Sequence, residues 1–474
     1  MKRITRLMQV VLFCVLLLAA LSSASSVLER KESVCKYRPF MEAKEDFDVL
    51  FMGNSHMVNS VFPMELWRDY GIASYNIAGY GNTLPASYWA MRCAFDYAQP
   101  KLMVIDISGV SREEKLSGSS GDLHKALDCY PPSLTKIRAV HDLIDDPNAV
   151  DDDGNRYMDM IWEYYLPLGK YHSRWNDLSQ SDFQPQYSVE KGGEALVNVA
   201  VPREYEIFEH SYATSEIGWG FVYLRRMIEE CQSRGIEVLL THLPFPSKEY
   251  QQCDANAVRY IAEEYGVDFV DFVYTDYVVD YDTDLFDASS HLNASGGKKV
   301  TDFLGKYIQE HFNIPDRREE KAYSRWHDDY KAYLNKKISV IRHHDHAQNM
   351  LMLLHDDDFI AHLYVPEESR LYDDDILLLL MHNIAREHLF EEDAFIEASA
   401  AMYPLETLDE AVQTYEAYYL VSDRSADTFE EHTGIGALEC FNQNFVLEDA
   451  AGDLFLQLYD AQTRQLLMTK SYTL

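Results

Sequence analysis

Basic residues are scarce in this 474-residue chain. It has 42 Lys and Arg residues compared with 78 Asp and Glu residues, so the formal net charge is −36. Nucleic-acid backbones select for Lys and Arg, and the imbalance therefore argues strongly against a nucleic-acid partner. It is typical of a soluble protein in a salty exterior, or of one that anionic surfaces repel. The length exceeds that of one ordinary hydrophobic core, which predicts two domains.

Only one stretch is apolar enough to approach a membrane span, and it lies at the N-terminus. The run Leu7–Leu21 follows three basic residues and precedes a run of small residues. This is the pattern of a secretory signal peptide cleaved after Ala24. The run is short for a span of about 20 residues, although Val27 and Leu28 could extend it into a retained anchor. Residues 1–26 are thus predicted to be a signal peptide or an N-terminal anchor. The body is predicted to be exported, either secreted or anchored to the outer face of the cytoplasmic membrane.

Closely spaced cysteine pairs are absent as well. Six cysteines lie beyond the N-terminal run, none in a CxxC arrangement: Cys35, Cys93, Cys129, Cys231, Cys253 and Cys440. This argues against a structural zinc site, while the even number permits disulfides whose pairing stays open. The stretch His343–His346 has no further ligands at fixed spacing, and we predict no metal and no cofactor.

Strand signals alternate with helix signals between residues 45 and 315, which predicts an α/β domain on a parallel sheet. The predicted strands are Asp48–Met52, Ser74–Ile77, Leu102–Ile107, Glu237–Thr241 and Val267–Phe272. Residues 111–215 interrupt the alternation and are interpreted as an insertion over the sheet edge, where ligands usually bind. Residues 27–46 are polar and charged, which suggests a stalk.

The remainder of the chain is predicted to form a second, smaller domain. Residues 316–347 are charged and are interpreted as a helical linker. Residues 348–474 mix helix and strand signals and predict an α+β module of unknown role. Its predicted elements are helices Ala347–Leu354 and Asp374–His388 and strands Phe359–Tyr364, Tyr418–Val421, Leu454–Tyr459 and Leu466–Tyr472.

Three polar blocks follow predicted strands or precede a helix, and each has a plain structural alternative. In DVLFMGNSHM, Ser55 stands at the carboxyl end of the first strand, where it can act as a nucleophile; alternatively Asn54 or Ser55 only caps a helix. In NIAGYGN, Gly79 and Asn82 are candidate oxyanion donors, or part of an ordinary turn. In DLFDASSHLN, an acid and His291 share one loop, where the acid can hold the tautomer of an imidazole that serves a distant serine. Alternatively, this polar loop only caps the helix that follows it.

Together these blocks resemble the SGNH (GDSL-like) hydrolase superfamily, and more closely its exported DltD-like and alginate-O-acetylation-like branch. The resemblance covers roughly residues 45–335. It rests on VLFMGNSHMVNSVFPMELWRDYGIASYNIAGYGNTL, PKLMVIDI, YHSRWNDLSQSDF, AEEYGVDFVDF and DASSHLNASGGKKVTDFLGKYI. It implies a flavodoxin-like three-layer domain with a parallel sheet.

The resemblance also implies site roles. Ser55 becomes the nucleophile and His291 the general base, with the Ser55 N–H, Gly79 and Asn82 as oxyanion donors. The usual acid precedes the histidine by three positions, but Ala288 stands there and Asp287 precedes it by four. Either the loop bulges to use Asp287, or Asp284 supplies the acid, or the site is a Ser–His dyad. The Gly-x-Asn-Asp block that often supplies an oxyanion asparagine is not evident.

The YHSRW segment in the insertion recurs in this branch. In a functional interpretation Arg174 binds an anionic or hydroxylated substrate and Trp175 forms a platform for a sugar, with His172 beside them. The alternative is a buried aromatic hinge with an internal ion pair. His56 could line the substrate pocket, although a structural or orienting role is favoured.

The predicted function is serine-dependent ester hydrolysis or acyl transfer outside the cytoplasm. The resemblance implies O-acyl groups of a cell-surface polysaccharide or a teichoic-acid-like polymer as substrate, often beside a membrane O-acyltransferase. The alternative is a lapsed SGNH domain that binds glycans or serves as an assembly module.

Overall fold

A computed structural model describes most of the chain. The described residues are 2–44, 46–200, 206–208, 213, 218–275, 278–356, 358–366, 369–377, 379–380, 417–423, 428–430, 438–440, 443–445, 452–461, 463 and 465–474. The cysteines whose side chains are described all carry free thiols: Cys14, Cys35, Cys93, Cys129, Cys231 and Cys253.

The chain divides into two compact units, each built from three segments. The first comprises Met1–Glu194, Glu206–Asp276 and Thr301–Trp326; the second comprises Ala195–Tyr205, Tyr277–Val300 and His327–Leu474. This division differs from the sequential one drawn from the sequence, because Tyr277–Val300 groups with the C-terminal residues. Hydrogen bonds explain the grouping: the Asn293 side chain donates to the Asn198 carbonyl, and Ser295 Oγ bonds His355 Nδ1 at 2.8 Å.

A five-stranded parallel sheet forms the centre of the first unit, which confirms the predicted α/β class. Its strands, all close to the predicted positions, are β1 Val49–Met52, β2 Ser74–Asn76, β3 Leu102–Asp106, β4 Glu237–His242 and β5 Asp268–Asp271. Their order is β2-β1-β3-β4-β5, which is the flavodoxin-like order. All residues of β1 and β3 are buried, as central parallel strands require. In such sheets ligands bind beyond the carboxyl ends of the strands, near the point where the order reverses, here between β1 and β3.

Helices lie between the strands of this sheet along the chain, and further helices follow in the second unit. They are α1 Lys2–Leu28, α2 Lys31–Met41, α3 Ser55–Ser60, α4 Pro63–Tyr70, α5 Leu84–Ala94, α6 Ser120–Leu127, α7 Leu134–Leu143, α8 Ile161–Tyr165, α9 Leu168–Tyr171, α10 Gln180–Phe183, α11 Trp219–Ser233, α12 Glu249–Tyr265, α13 Ala294–His311, α14 Ser324–His343 and α15 Ala347–Leu353. Short 3₁₀ turns cover Tyr157–Met160, His172–Asn176, Phe272–Tyr274, Lys321–Tyr323 and Arg370–Asp373.

The suggestion of a polar stalk over residues 27–46 is wrong, because most of this stretch is the packed helix α2. Tyr37 and Phe40, three positions apart, lie on one side of α2 and are buried. The Phe40 ring lies 5.4 Å from that of Phe47 and 5.3 Å from that of Tyr75. Two aromatic side chains one helical turn apart each bury a large apolar area. The stabilisation from this burial is sufficient to pack the helix although charged residues surround them.

α1 is the helix whose length and composition suit a membrane span within the part of the chain that the structure describes. Within Arg6–Leu28 the most apolar 18 residues have a mean hydropathy of 2.4, and none of them is fully buried by the rest of the protein. A signal peptide and an anchor share these properties, so they are weakly consistent with export.

The second unit contains an antiparallel sheet, which confirms the predicted α+β module. Its strands are β6 Phe359–Pro366, β7 Ala417–Asp423, β8 Thr428–Glu430, β11 Leu454–Asp460 and β12 Leu466–Tyr472, in the order β12-β11-β6-β7-β8. A separate hairpin pairs β9 Leu438–Cys440 with β10 Gln443–Phe445. Met350 and Leu351 of α15 belong to its buried core, together with Leu456 and Leu458. The predicted helix Asp374–His388 lies mostly outside the described residues.

Candidate active site

Ser55 begins α3 directly beyond the carboxyl end of β1, with Gly53 forming the turn. A Cβ atom at Gly53 would lie 2.8 Å from the Cβ of Asp106 and 3.2 Å from that of Met57. Side chains do not tolerate such distances. Only glycine therefore lets β1 pass this close to β3 and place Ser55 at the edge of the sheet.

The helix cap that the sequence allowed for either Asn54 or Ser55 is made by Asn54. Its Oδ1 accepts a hydrogen bond from the His56 N–H at 2.9 Å, and its Nδ2 donates to the Ser108 carbonyl at 2.9 Å. Asn54 thereby satisfies an orphan donor of α3 and ties this turn to the segment after β3. Because Asn54 supplies the cap, this role does not account for the serine that follows it.

The Gly79–Asn82 loop lies beside the same turn. The Gly79 N–H donates to the Gly53 carbonyl at 3.2 Å, so this predicted oxyanion donor is engaged with the backbone. The Asn82 side chain is buried, and among the described residues neither its Nδ2 nor its Oδ1 has a hydrogen-bond partner. Leaving a buried amide unpaired costs about 1–3 kcal/mol. Of the two predicted donors, the Asn82 amide is therefore the one suited to bind an oxyanion.

Asn76, which ends β2, holds this loop in place. Its Nδ2 donates to the Met57 carbonyl at 2.8 Å and to the Val61 carbonyl at 3.1 Å, and its Oδ1 accepts from the Ala78 N–H at 3.2 Å. One buried amide thus fixes the loop before Gly79 against the residues of α3 and its C-terminal end.

In the second unit, Asp287 and His291 form a close pair within one hairpin loop. The loop is closed by the Leu285–Leu292 bridge, and the Phe286 N–H donates to the His291 carbonyl at 2.8 Å. Asp287 Oδ2 lies 2.5 Å from His291 Nδ1. Asp287 Oδ1 accepts from the N–H groups of Ser289 and Ser290 at 3.0 and 2.7 Å. The backbone of residues 287–290 turns around the Asp287 carboxylate. This turn lets an acid four positions before His291, instead of the usual three, reach the imidazole.

The contacts of Asp287 determine its charge and the tautomer of its neighbour. Partial burial opposes ionisation of Asp287, but hydrogen bonds from His291, Ser289 and Ser290 outweigh it and lower the pKa of Asp287 below its usual value. A carboxylate facing Nδ1 requires a proton on that nitrogen, so Nε2 of neutral His291 is the basic atom. This is the orientation that a general base needs.

Asp284, the other acid that the sequence left open, is occupied elsewhere in the second unit. Its fully buried carboxylate pairs with Lys299 Nζ at 2.9 and 3.1 Å. It also accepts from Ser295 Oγ at 2.9 Å and from the Asp280 N–H at 2.8 Å. The acid beside His291 is Asp287, and Asp284 holds the start of α13 to the hairpin.

A buried polar group at the carboxyl ends of β3, β4 and β5 was not anticipated. Asp106 Oδ1 accepts from Ser108 Oγ at 2.9 Å, whereas no described residue bonds its Oδ2. His242 Nδ1 lies 3.0 Å from an oxygen of Asp271. The Phe245 ring contacts the His242 and His56 rings, with centroids 5.5 and 4.5 Å apart. The sequence feature that could have indicated this group is Asp106, an acid that ends the otherwise apolar strand β3.

Burial raises the pKa of Asp106 to about 6, despite hydrogen bonds from Ser108 and the proximity of His242. Between about pH 4 and pH 6 the folded protein therefore keeps a proton that the unfolded chain releases. The free energy of unfolding should fall by about 2–3 kcal/mol as the pH rises through this window. Asp106→Asn should remove this term and flatten the curve, which urea denaturation at pH 4–8 measures. The exposed Asp96→Asn is the control, and parallel curves for wild type and Asp106→Asn would contradict the assignment.

The three predicted residues of the insertion lie in the first unit. Arg174 donates to the Leu28 and Glu29 carbonyls and pairs with Asp182 at 2.6 Å, so the internal ion pair of the structural alternative is present. Trp175 is 67% exposed and is not a buried hinge. His172 Nδ1 lies 2.7 Å from the Gly169 carbonyl. A role of these residues or of His56 in binding substrate stays a prediction.

No family model matches the sequence, and no curated protein is significantly similar to it. One similar solved structure is a candidate acylhydrolase from Bacteroides fragilis, 14% identical, covering 58% of this chain and 95% of that chain, with a TM-score of 0.29. Another is an acetyl xylan esterase from the rumen bacterium Butyrivibrio proteoclasticus, 7% identical, covering 56% and 64%, with a TM-score of 0.23. TM-scores at this level support neither a fold nor an activity, and the site rests on its own residues.

Proposed function

We propose that this protein is an exported serine-dependent esterase or O-acyltransferase in which Ser55 is the nucleophile, His291 the general base and Asp287 its acid. The observation that carries the proposal is the Asp287–His291 pair, with Oδ2 and Nδ1 2.5 Å apart. An imidazole whose tautomer is held by a carboxylate is the central component of acyl-transfer catalysis by serine. The turn that sets Ser55 beyond β1 supports the assignment of the nucleophile.

The reaction proceeds in two halves. Ser55 Oγ attacks the ester carbonyl while its proton passes to His291 Nε2. The Asn82 amide and the Ser55 N–H stabilise the oxyanion of the tetrahedral intermediate. The intermediate collapses, the alcohol leaves with the proton from His291, and an acyl-enzyme forms. Water or a sugar hydroxyl then attacks the acyl-enzyme and gives its proton to His291. His291 returns this proton to Ser55 Oγ as the bond between Oγ and the acyl carbon breaks, which releases the acid or the acylated sugar. The nature of this acceptor separates an esterase from a transferase.

The proposed substrate is an O-acylated cell-surface polysaccharide or a teichoic-acid-like polymer. Two features support it: an N-terminal apolar helix of the kind that directs export, and the resemblance of the sequence blocks to the branch that modifies such polymers. Supplying an acetylated donor with and without an oligosaccharide distinguishes the products. Acylated sugar identifies a transferase, and free acid in both reactions identifies an esterase.

Labelling with a fluorophosphonate tests the role of Ser55. The intact protein should bind one phosphonyl group on the peptide that contains Ser55, because only an activated serine reacts with this probe. Ser55→Ala should remove the label, and the exposed Ser233→Ala should retain it; intact-protein and peptide mass spectrometry measure both. A folded protein that never labels, or a Ser55→Ala variant that labels equally, favours the glycan-binding or assembly alternative, and circular dichroism verifies the fold.

A further inference from the structure

The C-terminal end of α1 is held by the insertion that follows β3. Carbonyl groups in the last turn of a helix lack helical donors. Here Arg174 Nη1 donates to the Leu28 and Glu29 carbonyls at 2.6 and 2.7 Å, and Lys31 Nζ donates to the Ser26 carbonyl at 2.7 Å. Arg174 Nη2 in turn pairs with the buried Asp182. Two cations therefore cap α1 and fix its end to the body, in the orientation that the helix dipole favours.

Large apolar side chains are exposed on the same elements. The 3₁₀ turn His172–Asn176 and the helix α10 both contact α1. Trp175, which follows Arg174, is 67% exposed, and Phe183, which follows Asp182, is 62% exposed. Leu178, between these two elements, is 37% exposed. We call these three residues, Trp175, Leu178 and Phe183, the apolar collar.

The length of α1 sets the collar at a particular depth. The 23 residues of Arg6–Leu28 rise about 1.5 Å each and reach about 35 Å, slightly more than the hydrocarbon core of a bilayer. If Arg6 lies at one boundary, Leu28 lies at the other. Groups that bond the Leu28 carbonyl then lie at the level of the lipid headgroups, where tryptophan is enriched in membrane proteins.

The contacts of α1 also favour its retention over cleavage. No Gly or Pro interrupts residues 1–38, and α1 is continuous through the predicted cleavage position after Ala24. Leu21 and Ser25, on either side of that position, are half-buried, whereas residues 6–20 are exposed. The body thus packs against the last two turns of α1, including Leu21, which cleavage would remove.

We propose that α1 is a retained membrane anchor and that the apolar collar inserts into the outer headgroup layer of a lipid bilayer. The segment 161–187 has two basic residues, Lys170 and Arg174, and three acidic ones, Glu163, Asp177 and Asp182. Its net charge is thus close to zero although that of the chain is −36. The collar is therefore a part of this acidic protein that an anionic bilayer repels little. The proposal is independent of the chemistry at Ser55.

Fluorescence quenching tests the position of the collar. The full-length protein is reconstituted into vesicles of phosphatidylcholine and phosphatidylglycerol whose acyl chains carry bromine near the headgroup. Bromine quenches tryptophan that enters the bilayer, so quenching is expected in these vesicles and should fall about twofold or more in Trp175→Phe. Trp219→Phe, which removes a partly exposed tryptophan of α11, should leave the quenching unchanged. Circular dichroism verifies that both variants fold.

Three results would overturn the proposal. Quenching that is equal in wild type and Trp175→Phe would show that the collar does not enter lipid. Protection of the collar by a second protein chain, seen as crosslinking through a photoreactive residue at position 183 without lipid quenching, would assign it to a protein partner. Intact mass of the membrane-extracted protein tests the anchor: a mass that retains residues 1–24 supports the proposal, and a mature protein that begins after Ala24 refutes it.

Discussion

Replacing Asp287 by asparagine is expected to lower kcat/KM for an activated ester by about 10³–10⁴-fold while the fold is preserved. Asparagine keeps an oxygen that can accept from the Ser289 and Ser290 N–H groups, as Asp287 does now. If its amide nitrogen then faces His291, it presents a donor where the imidazole presents one too. His291 must then adopt the other tautomer, with its proton on Nε2, and loses the basic atom that accepts a proton from the nucleophile.

Steady-state hydrolysis of p-nitrophenyl acetate at several pH values measures this loss. Asp282→Asn is the matched control, because it makes the same change from acid to amide at an exposed position five residues earlier. A kcat/KM within a few-fold of wild type in Asp287→Asn would show that the carboxylate is not needed. That result would support a Ser–His dyad, or a lapsed site if the wild type is inactive as well.

Replacing Asp284 by asparagine should instead destabilise the second unit, by about 3 kcal/mol. The buried carboxylate of Asp284 bonds Lys299 Nζ, Ser295 Oγ and the Asp280 N–H at 2.8–3.1 Å. An amide in its place removes the negative charge that pairs with the ammonium of Lys299 at 2.9 Å. It also directs an N–H group toward another donor, because every current partner of Asp284 donates.

Urea denaturation followed by circular dichroism measures the change, and urea is preferred to guanidinium since it does not screen the ion pair. Asp282→Asn is the control, because Asp282 is exposed two residues away and its replacement should change the unfolding free energy by less than about 0.5 kcal/mol. Equal midpoints for Asp284→Asn and Asp282→Asn would show that the Asp284–Lys299 pair contributes nothing measurable.

The two acids show why the sequence could not choose between them. Asp284 and Asp287 lie three positions apart in one polar loop, and either could face His291. The decision depends on backbone hydrogen bonds that turn the hairpin around Asp287 and on Lys299, which lies in a helix fifteen positions after Asp284. No short sequence pattern predicts either contact. The first depends on how the hairpin turns, and the second on how the loop packs against α13.

The domain division differs from the prediction for a related reason. Patterns along the sequence predict domains as consecutive segments, and residues 277–300 fall within the α/β alternation of the predicted domain 45–315. In the folded chain Asn293 bonds the Asn198 carbonyl and Ser295 bonds His355. These partners are 95 and 60 residues away, so that no composition shift along the chain marks the boundary.

Other features could be predicted from the sequence, because each depends on a short stretch of chain. Buried parallel strands are continuous apolar runs, and β1, β3 and β4 were therefore located to within a residue or two. The break of the first run at Gly53 placed Ser55 beyond a strand, where parallel sheets bind ligands. The α/β class, the C-terminal α+β module and the apolar N-terminal helix follow from the same local patterns. Tertiary structure alone decided that Asn54 makes the cap, that Asp287 contacts His291, that α2 is packed, and that Asp106 is buried with one oxygen that no described residue bonds. Each of these depends on distant backbone or side-chain groups, since hydrogen bonds and burial are set by which parts of the chain meet.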